Sequence, residues 1–315
     1  MLVRTPSSSP SLGHVLASWV AIALALAVAL VPPDLLATPQ PAPAEAVVAP
    51  RAAPVVRPAA VPVALRAAAP ASDDLVADAE RASPAIARRL KVPVLMYHYV
   101  SEVPAAEAAS PGARDLRVPP ALFAQHLELL RGAGYHTVTA PQLWAALNSR
   151  AELPDRPILL TFDDGYADAY QNVMPLLQRY GFSGTFFVTV NLVGRPGYLT
   201  WDQVRAMSAA GMDIESHAMD HLSMAKRAAA SLRSQLADSR RILSERTGTD
   251  VRFFAYPAGE YGDEAIAAAA AAGYHGAFLK NGGALQSPEW AFTLRRLRIA
   301  GYTAAGGLRA LLAAG

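Results

Sequence analysis

Apolar residues along this chain fall into two alternating patterns. Short apolar runs occur at 92–97 (VPVLMY), 135–139 (YHTVT), 158–162 (ILLTF), 184–190 (GTFFVTV), 212–216 (MDIES), 251–256 (VRFFAY), 274–279 (YHGAFL) and 293–299 (TLRRLRI). Between them lie PALFAQHLELLRGAG, APQLWAALNSR, YADAYQNVMPLLQRYG, TWDQVRAMSAAG, SLRSQLADSRRILSERTG and GDEAIAAAAAAG. In most of these longer stretches apolar residues recur every three to four positions and the stretch ends on glycine, as helices do. Strand–helix alternation at this spacing predicts a parallel α/β fold. About eight rounds favour a (β/α) barrel, complete or not, over an open doubly wound sheet. No G-x-G-x-x-G follows the first run, which also weighs against a Rossmann domain.

The first ninety residues break this rhythm. From Val15 to Val31 the sequence VLASWVAIALALAVALV carries no charge and follows Arg4. Its length is short for a membrane span but enough for a secretory h-region, so a cleaved signal peptide is favoured over a retained anchor; a buried core helix fits the low-complexity sequence after it less well. Residues 32–90 are rich in Pro and Ala, which disfavours helix and reads as an extended linker. The expected organisation is therefore a signal peptide or anchor at 1–31, a linker at 32–90 and a folded domain at 91–315. Either leader exports the protein, to the cell envelope or beyond, secreted or tethered through residues 15–31.

Composition narrows the chemistry. The formal net charge of +2 gives no support for nucleic acid as the partner, and no dense Lys/Arg cluster interleaved with aromatics is seen. Cysteine is absent, which removes disulfides, thiolate nucleophiles and Cys-based metal sites together. Any metal must sit on His and carboxylates. Polar residues that follow the apolar runs would converge at the C-terminal ends of the strands of a barrel. They are His98, Asp163 and Asp164, His217 and His221, and the Pro257–Gly259 turn. The His-x-x-x-His spacing presents two imidazoles on one side, and with one Asp it makes a facial metal set with open positions. The other Asp is then free to act as a base. Alone, each motif also reads blandly, the histidines as surface or capping groups and Asp-Gly as a turn former.

TFDDGYADAY, ESHAMDHL and FFAYPAGEYGD, in this order and spacing, resemble the three principal motifs of the polysaccharide deacetylases of carbohydrate esterase family four. VPVLMYHYV and PGYLTWDQVRAM resemble the branch that acts on poly-N-acetylglucosamine and related envelope glycans. The resemblance runs from Lys91 to Ile299. It implies a distorted (β/α) barrel and a metal-dependent hydrolase that removes N-acetyl groups from an amino-sugar polymer such as poly-N-acetylglucosamine, peptidoglycan or a chitin-like glycan, by metal-activated water. It implies Asp163 as the base and Asp164, His217 and His221 as ligands of a divalent metal, most simply Zn2+, with Co2+, Ni2+ or Fe2+ also compatible. A backbone N–H near Ala258, in the Pro257–Ala258–Gly259 turn, would hold the oxyanion, with Tyr166 beside the substrate.

The chain departs from the commoner pattern in three places. No histidine follows His275, so the acid expected near the C-terminus falls instead to His98, whose alternative is a satisfied barrel-end histidine. The base-orienting Arg of the third motif is Ala255 here, with Arg296 or Arg114 as substitutes, and the motif's Tyr is Ala258. Ala218 replaces a hydroxyl residue. His126, His136 and His275 read as structural; Tyr198, Trp201 and Tyr261 fit packing as well as sugar stacking. Two rival readings remain open: a catalytically weak glycan-binding wall protein, and an O-deacetylase of xylan-like glycans. Oligomeric state leaves no sign in the sequence.

Overall fold

The alternation becomes ten strands: β1 (Leu90–Lys91), β2 (Val94–Tyr97), β3 (His136–Thr137), β4 (Pro157–Phe162), β5 (Thr185–Val188), β6 (Asp213–Ser216), β7 (Phe253–Ala255), β8 (Gly276–Gly282), β9 (Leu285–Gln286) and β10 (Leu294–Arg298). They belong to a computed structural model that describes residues 88–315. The expected leader or anchor at 1–31 and the linker up to residue 87 lie outside the described residues. Among the described residues no helix is long and apolar enough to cross a membrane.

Seven parallel strands close the barrel, because β2 pairs with both β10 and β4. The β2–β4 register sets Val94 opposite Leu159 and Tyr97 opposite Phe162. That pairing leaves no place for the eighth predicted run. β3 is two residues long and pairs only with the start of β4, outside the closed ring. β1 and β9, which no sequence signal marked, form a small antiparallel pair.

Each predicted helix forms, and local chemistry sets its ends. Thr139 and Thr200 start the helices Ala140–Leu147 and Trp201–Ala209 with reciprocal capping boxes to Gln142 and Gln203. Gly181 and Gly248 stop two others in the left-handed conformation that glycine adopts without a Cβ penalty. Two longer stretches contain a π turn, at Ala169–Val173 and Ser234–Asp238. The C-terminal helix Ala305–Ala314, which the glycine-containing AGGLRALLAA concealed, was not expected.

Side-chain alternation divides the core in two. Outward residues such as Leu160, Phe162, Phe186 and Ile214 pack beneath the helices. Inward residues such as Val94, Leu159, Phe187 and Phe278 fill the barrel, whose lower end is plugged by Leu143 and Leu147 of the helix Ala140–Leu147. Each such buried side chain contributes roughly 1.5–3 kcal/mol.

The weakest seam lies between β6 and β7, where a single register pair, Ser216 with Phe254, is formed. A side chain stitches the gap: Glu215 accepts the backbone N–H groups of Arg252 and Phe253, each at 2.8 Å. One inward position below, Asp213 accepts from the Thr185 hydroxyl at 2.7 Å and from Ala140 N at the helix N-terminus at 3.2 Å. Burial raises both carboxyls, Glu215 well above the ordinary range and Asp213 to about 6. A raised folded-state pKa means that the acid form supports the fold, fully below about pH 4, and that this support is lost as pH rises through 6. Asp213→Asn should therefore match the parent's stability at pH 4 and exceed it at pH 8, by roughly 3 kcal/mol, with a correspondingly higher melting temperature. Parallel melts across that range check it; a constant difference would place the ionised carboxylate elsewhere.

Both ends of the described chain meet at the lower pole. Lys91, Pro93, Pro157 and Leu312 line one shallow pocket there. Gly315 rests against Ala284, whose carbonyl accepts from Val92 N at 2.8 Å.

Candidate active site

The inward positions can be followed up each strand to the opposite pole. On β2 the series Val94, Met96 runs on to His98; on β4, Leu159, Thr161 runs on to Asp163; on β6, Asp213, Glu215 runs on to His217. On β8 Phe278 leads to Lys280, and on β10 Leu294 leads to Arg296 and Arg298. Val94, Leu159, Phe278 and Leu294, at the lower ends of these series, are barrel core. The upper members, joined by Asp164, Tyr166, Tyr198, His221, Ala258 and Gly259 from the loops, line one cleft of about 370 Å3. Polar residues that follow an apolar run thus meet at one mouth, because the strands are parallel.

Asp163 and Arg296 are both buried, at 4% and 1% exposure, and form a two-pronged pair with oxygen–nitrogen distances of 2.7 and 2.8 Å. Arg296 is itself held, donating to Leu279 O at 2.5 Å and Thr161 Oγ1 at 3.2 Å. Burial alone would raise the Asp163 carboxyl; the adjacent guanidinium outweighs it and leaves the pKa below the ordinary value. The planar fork fixes the carboxylate's orientation as well as its charge. Ala255 lies on β7 in the barrel core. The cation beside Asp163 therefore comes from β10. Arg114, the other expected substitute, sits in the helix Pro111–Leu116 and makes no ion pair with Asp163.

Asp164 has the chemistry of a metal ligand. Its Oδ1 is buried and has no hydrogen-bond donor. The Nε2 atoms of His217 and His221 each lie 3.2 Å from that same oxygen. The His217 Nδ1 lies 2.7 Å from Ala255 O and donates its proton there, which leaves the Nε2 lone pair facing Asp164. One oxygen and two nitrogens, all within 4.8 Å of one another, make a donor set that fits a divalent cation and leaves positions open.

The loops that carry these groups hold backbone strain. Asp164 (φ 76°), Ala218 (φ 68°) and Ala258 (φ 56°) are non-glycine residues in the left-handed region, and Gly165 and Gly259 lie there too. Each costs an L-residue on the order of 1 kcal/mol, and such strain clusters at functional loops. The His217–His221 loop is clamped by Asp220, which accepts from Asn191 Nδ2 at 2.7 Å and Gln235 Nε2 at 2.9 Å. Gln235 belongs to the second π turn.

His98 lines the same cleft, and its Nδ1 is buried without a partner. Burial pushes its pKa below the ordinary value, against the pull of Asp163 and Asp164. Its loop is tied down from the first π turn: Asp168 Oδ2 accepts Val100 N at 2.9 Å, and Asn172 Nδ2 donates to Val100 O at 2.8 Å. That loop also places Tyr99, which the sequence reading passed over, face to face with Tyr166 at 3.4 Å; Tyr198 follows at 5.1 Å and the Arg117 guanidinium caps Tyr99 at 3.7 Å. Pro257 is buried in the turn beneath the cleft. Trp201 packs against the core, and Tyr261 stacks on Tyr256 at the rim.

The remaining histidines stand apart. His126 is buried with both nitrogens bonded, Nδ1 to the Tyr97 hydroxyl at 3.2 Å and Nε2 to Thr303 O at 2.7 Å. His136 and His275 are exposed. Arg296, Lys280 and Arg298 went unassigned or weakly assigned in sequence; only their two-residue spacing from Leu294 and Phe278 could have marked them as inward.

Residues 150–277 match the family described as Polysaccharide deacetylase. The chain is 31% identical over 227 residues to Bacillus subtilis YxkH, a polysaccharide deacetylase by name, covering 72% of this chain and 76% of that one. It is 29% identical over 120 residues to the Escherichia coli poly-β-1,6-N-acetyl-D-glucosamine N-deacetylase, covering 33% of this chain and 18% of that protein. Among solved structures it resembles the Streptococcus pyogenes deacetylase PplD in complex with acetate, at TM-score 0.67 and 27% identity over 71% of this chain and 99% of that one.

Proposed function

The chain belongs to the polysaccharide deacetylase family and is a hydrolase of that class, and from this premise we propose that it removes N-acetyl groups from an amino-sugar polymer outside the cytoplasm. The observation that carries the reading is the pairing, in one cleft, of a carboxylate locked by Arg296 with a second carboxylate whose free oxygen faces two imidazole nitrogens. The name of the Escherichia coli relative, an N-deacetylase of poly-β-1,6-N-acetyl-D-glucosamine, supports amide rather than ester cleavage.

Asp164, His217 and His221 would hold a divalent metal, Zn2+ by the N2O donor set. Such an ion supplies Lewis acidity that acidifies a water and polarises the acetamide carbonyl. Asp163 takes the proton of the attacking water. It is ionised at neutral pH because Arg296 keeps its pKa low, and it cannot rotate away because both its oxygens are engaged. The turn at Ala258 and Gly259 faces the cleft; Gly259 N is held by Tyr256 O at 2.8 Å, so the Ala258 N–H is the donor left for the developing oxyanion. The departing sugar amine needs a proton, and His98 is the group placed to deliver it. Burial keeps the resting imidazole neutral, so His98 must gain a proton before the amine departs. Tyr166, backed by Tyr99 and Tyr198, offers an aromatic face to a sugar ring.

His98→Ala tests the acid. A positioned general acid contributes about 10²–10⁴-fold, and an amine leaves without a proton far less readily than an alcohol. The variant should lose at least a hundredfold of N-acetyl hydrolysis and much less of the hydrolysis of an activated acetate ester. Equal losses on the two substrates would remove His98 from the acid's role.

A further inference from the structure

Three cations enter the cleft from β8 and β10, and two of them are spoken for. Arg296 is bound by both oxygens of Asp163. Arg298 is bound by both oxygens of Asp115. Lys280 makes no ion pair among the described residues, although it lies at the inward position two residues beyond Phe278, where β8 leaves the barrel. Its stem is pressed over the turn that lines the cleft: a Cβ on Gly259 would meet Lys280 Cγ at 2.7 Å and Cδ at 2.8 Å. The aliphatic chain is thus laid across Gly259 while the ammonium stays in water at the mouth.

The acids of the cleft cannot satisfy it. Among the described residues Asp163 and Asp164 are the carboxylates that line the cleft, the first neutralised by Arg296 and the second turned to the two imidazoles. With a divalent cation on that triad the mouth carries a surplus of positive charge, and fields in a low-dielectric cleft favour a ligand of opposite sign.

We infer that Lys280 is an anion subsite that selects amino-sugar polymers bearing a carboxylate on a sugar next to the N-acetylated one. This inference rests on the deacetylase reading for the identity of the polymer. The carboxylate could be carried as a lactyl ether or as a uronic acid; both present a planar anion to one ammonium. Lys280 is a specificity residue here: it meets the neighbouring sugar and leaves the reacting carbonyl to the groups described above.

The test uses the full chain loaded with Zn2+ and four polymers. They are neutral β-linked N-acetylglucosamine oligomers, peptide-free peptidoglycan strands, the same strands with their lactyl carboxylates amidated, and a polymer alternating glucuronate with N-acetylglucosamine. Acetate release is read as kcat/KM, and binding is read separately on the Asp163→Asn variant, which needs no turnover. The expected result is a preference of about two- to fivefold for at least one acid-bearing polymer over the neutral oligomers. That preference should collapse on amidation, in Lys280→Gln and in 0.5 M NaCl, and reverse in Lys280→Glu; the preferred polymer identifies the source of the carboxylate. If neutral and acidic polymers bind equally, or if Lys280→Gln leaves their ratio unchanged, the subsite is overturned. If Lys280-dependent binding of the acidic polymer persists but no polymer releases acetate, the subsite stands and the deacetylase reading falls.

Discussion

Arg296→Ala is expected to lose nearly all activity and to be the most destabilising single change in the cleft. The guanidinium is 1% exposed and makes four hydrogen bonds, two of them to Asp163. Removing one partner of a buried ion pair leaves the other charge uncompensated and costs about 3–5 kcal/mol. The catalytic loss has a separate signature. Without the guanidinium, burial is no longer offset and the Asp163 carboxyl rises toward neutrality, so the acidic limb of the rate profile should move to higher pH. Arg296→Lys restores a charge without the fork; it should recover much of the stability and less of kcat, because an ammonium cannot grip both oxygens. The measurement is kcat against pH for the folded fraction of each variant. A drop in rate with an unmoved acidic limb would mean that Arg296 supports the barrel but does not set the state of Asp163.

The second large effect is expected from the metal triad. Full-length protein dialysed against Zn2+ should bind about one equivalent, as a single three-ligand site requires. Asp164→Ala and His217→Ala should each reduce that content to background, while Asp163→Asn should retain most of it. Saturating metal at a thousand times its dissociation constant stabilises the folded state by about 4 kcal/mol, which for a domain of this size raises the melting temperature by roughly 10 °C. That increment should vanish in the triad variants. Chelator should suppress acetate release by at least a thousandfold and Zn2+ should restore it. Metal content unchanged by Asp164→Ala would locate the ion somewhere else.

Much of this architecture was legible because barrel strands repeat one grammar. Each of the eight apolar runs contributes a strand, and each candidate ligand or base lies within a few residues of a strand end, where parallel chains bring side chains to a common mouth. The sequence could not say that β3 would stay outside the ring, since that depends on β2 and β4 pairing directly along four residues. Nor could it choose between Arg114 and Arg296. In TLRRLRI three arginines compete, and only the strand's orientation decides that Arg296 and Arg298 face inward while Arg295 stacks on Trp290 at 3.9 Å. The partners Asp163 and Arg296 are 133 positions apart. Glu215 was read as part of an apolar run, yet it supplies with its side chain the bonds that the β6–β7 backbones fail to make. Such substitutions leave no periodic trace.

The meeting of Val92 and Gly315, at the two ends of the described residues, near Ala284 has a practical side. Coupling to a resin, or fusion to a carrier module, at Gly315 or just before Val92 would hold this domain by the pole away from the cleft and leave the mouth turned outward. A polymer much longer than the barrel could then thread past the immobilised catalyst from any direction without meeting its support. The same proximity makes the domain a natural subject for circular permutation, with old ends joined by a short bridge and new ones opened in an exposed loop.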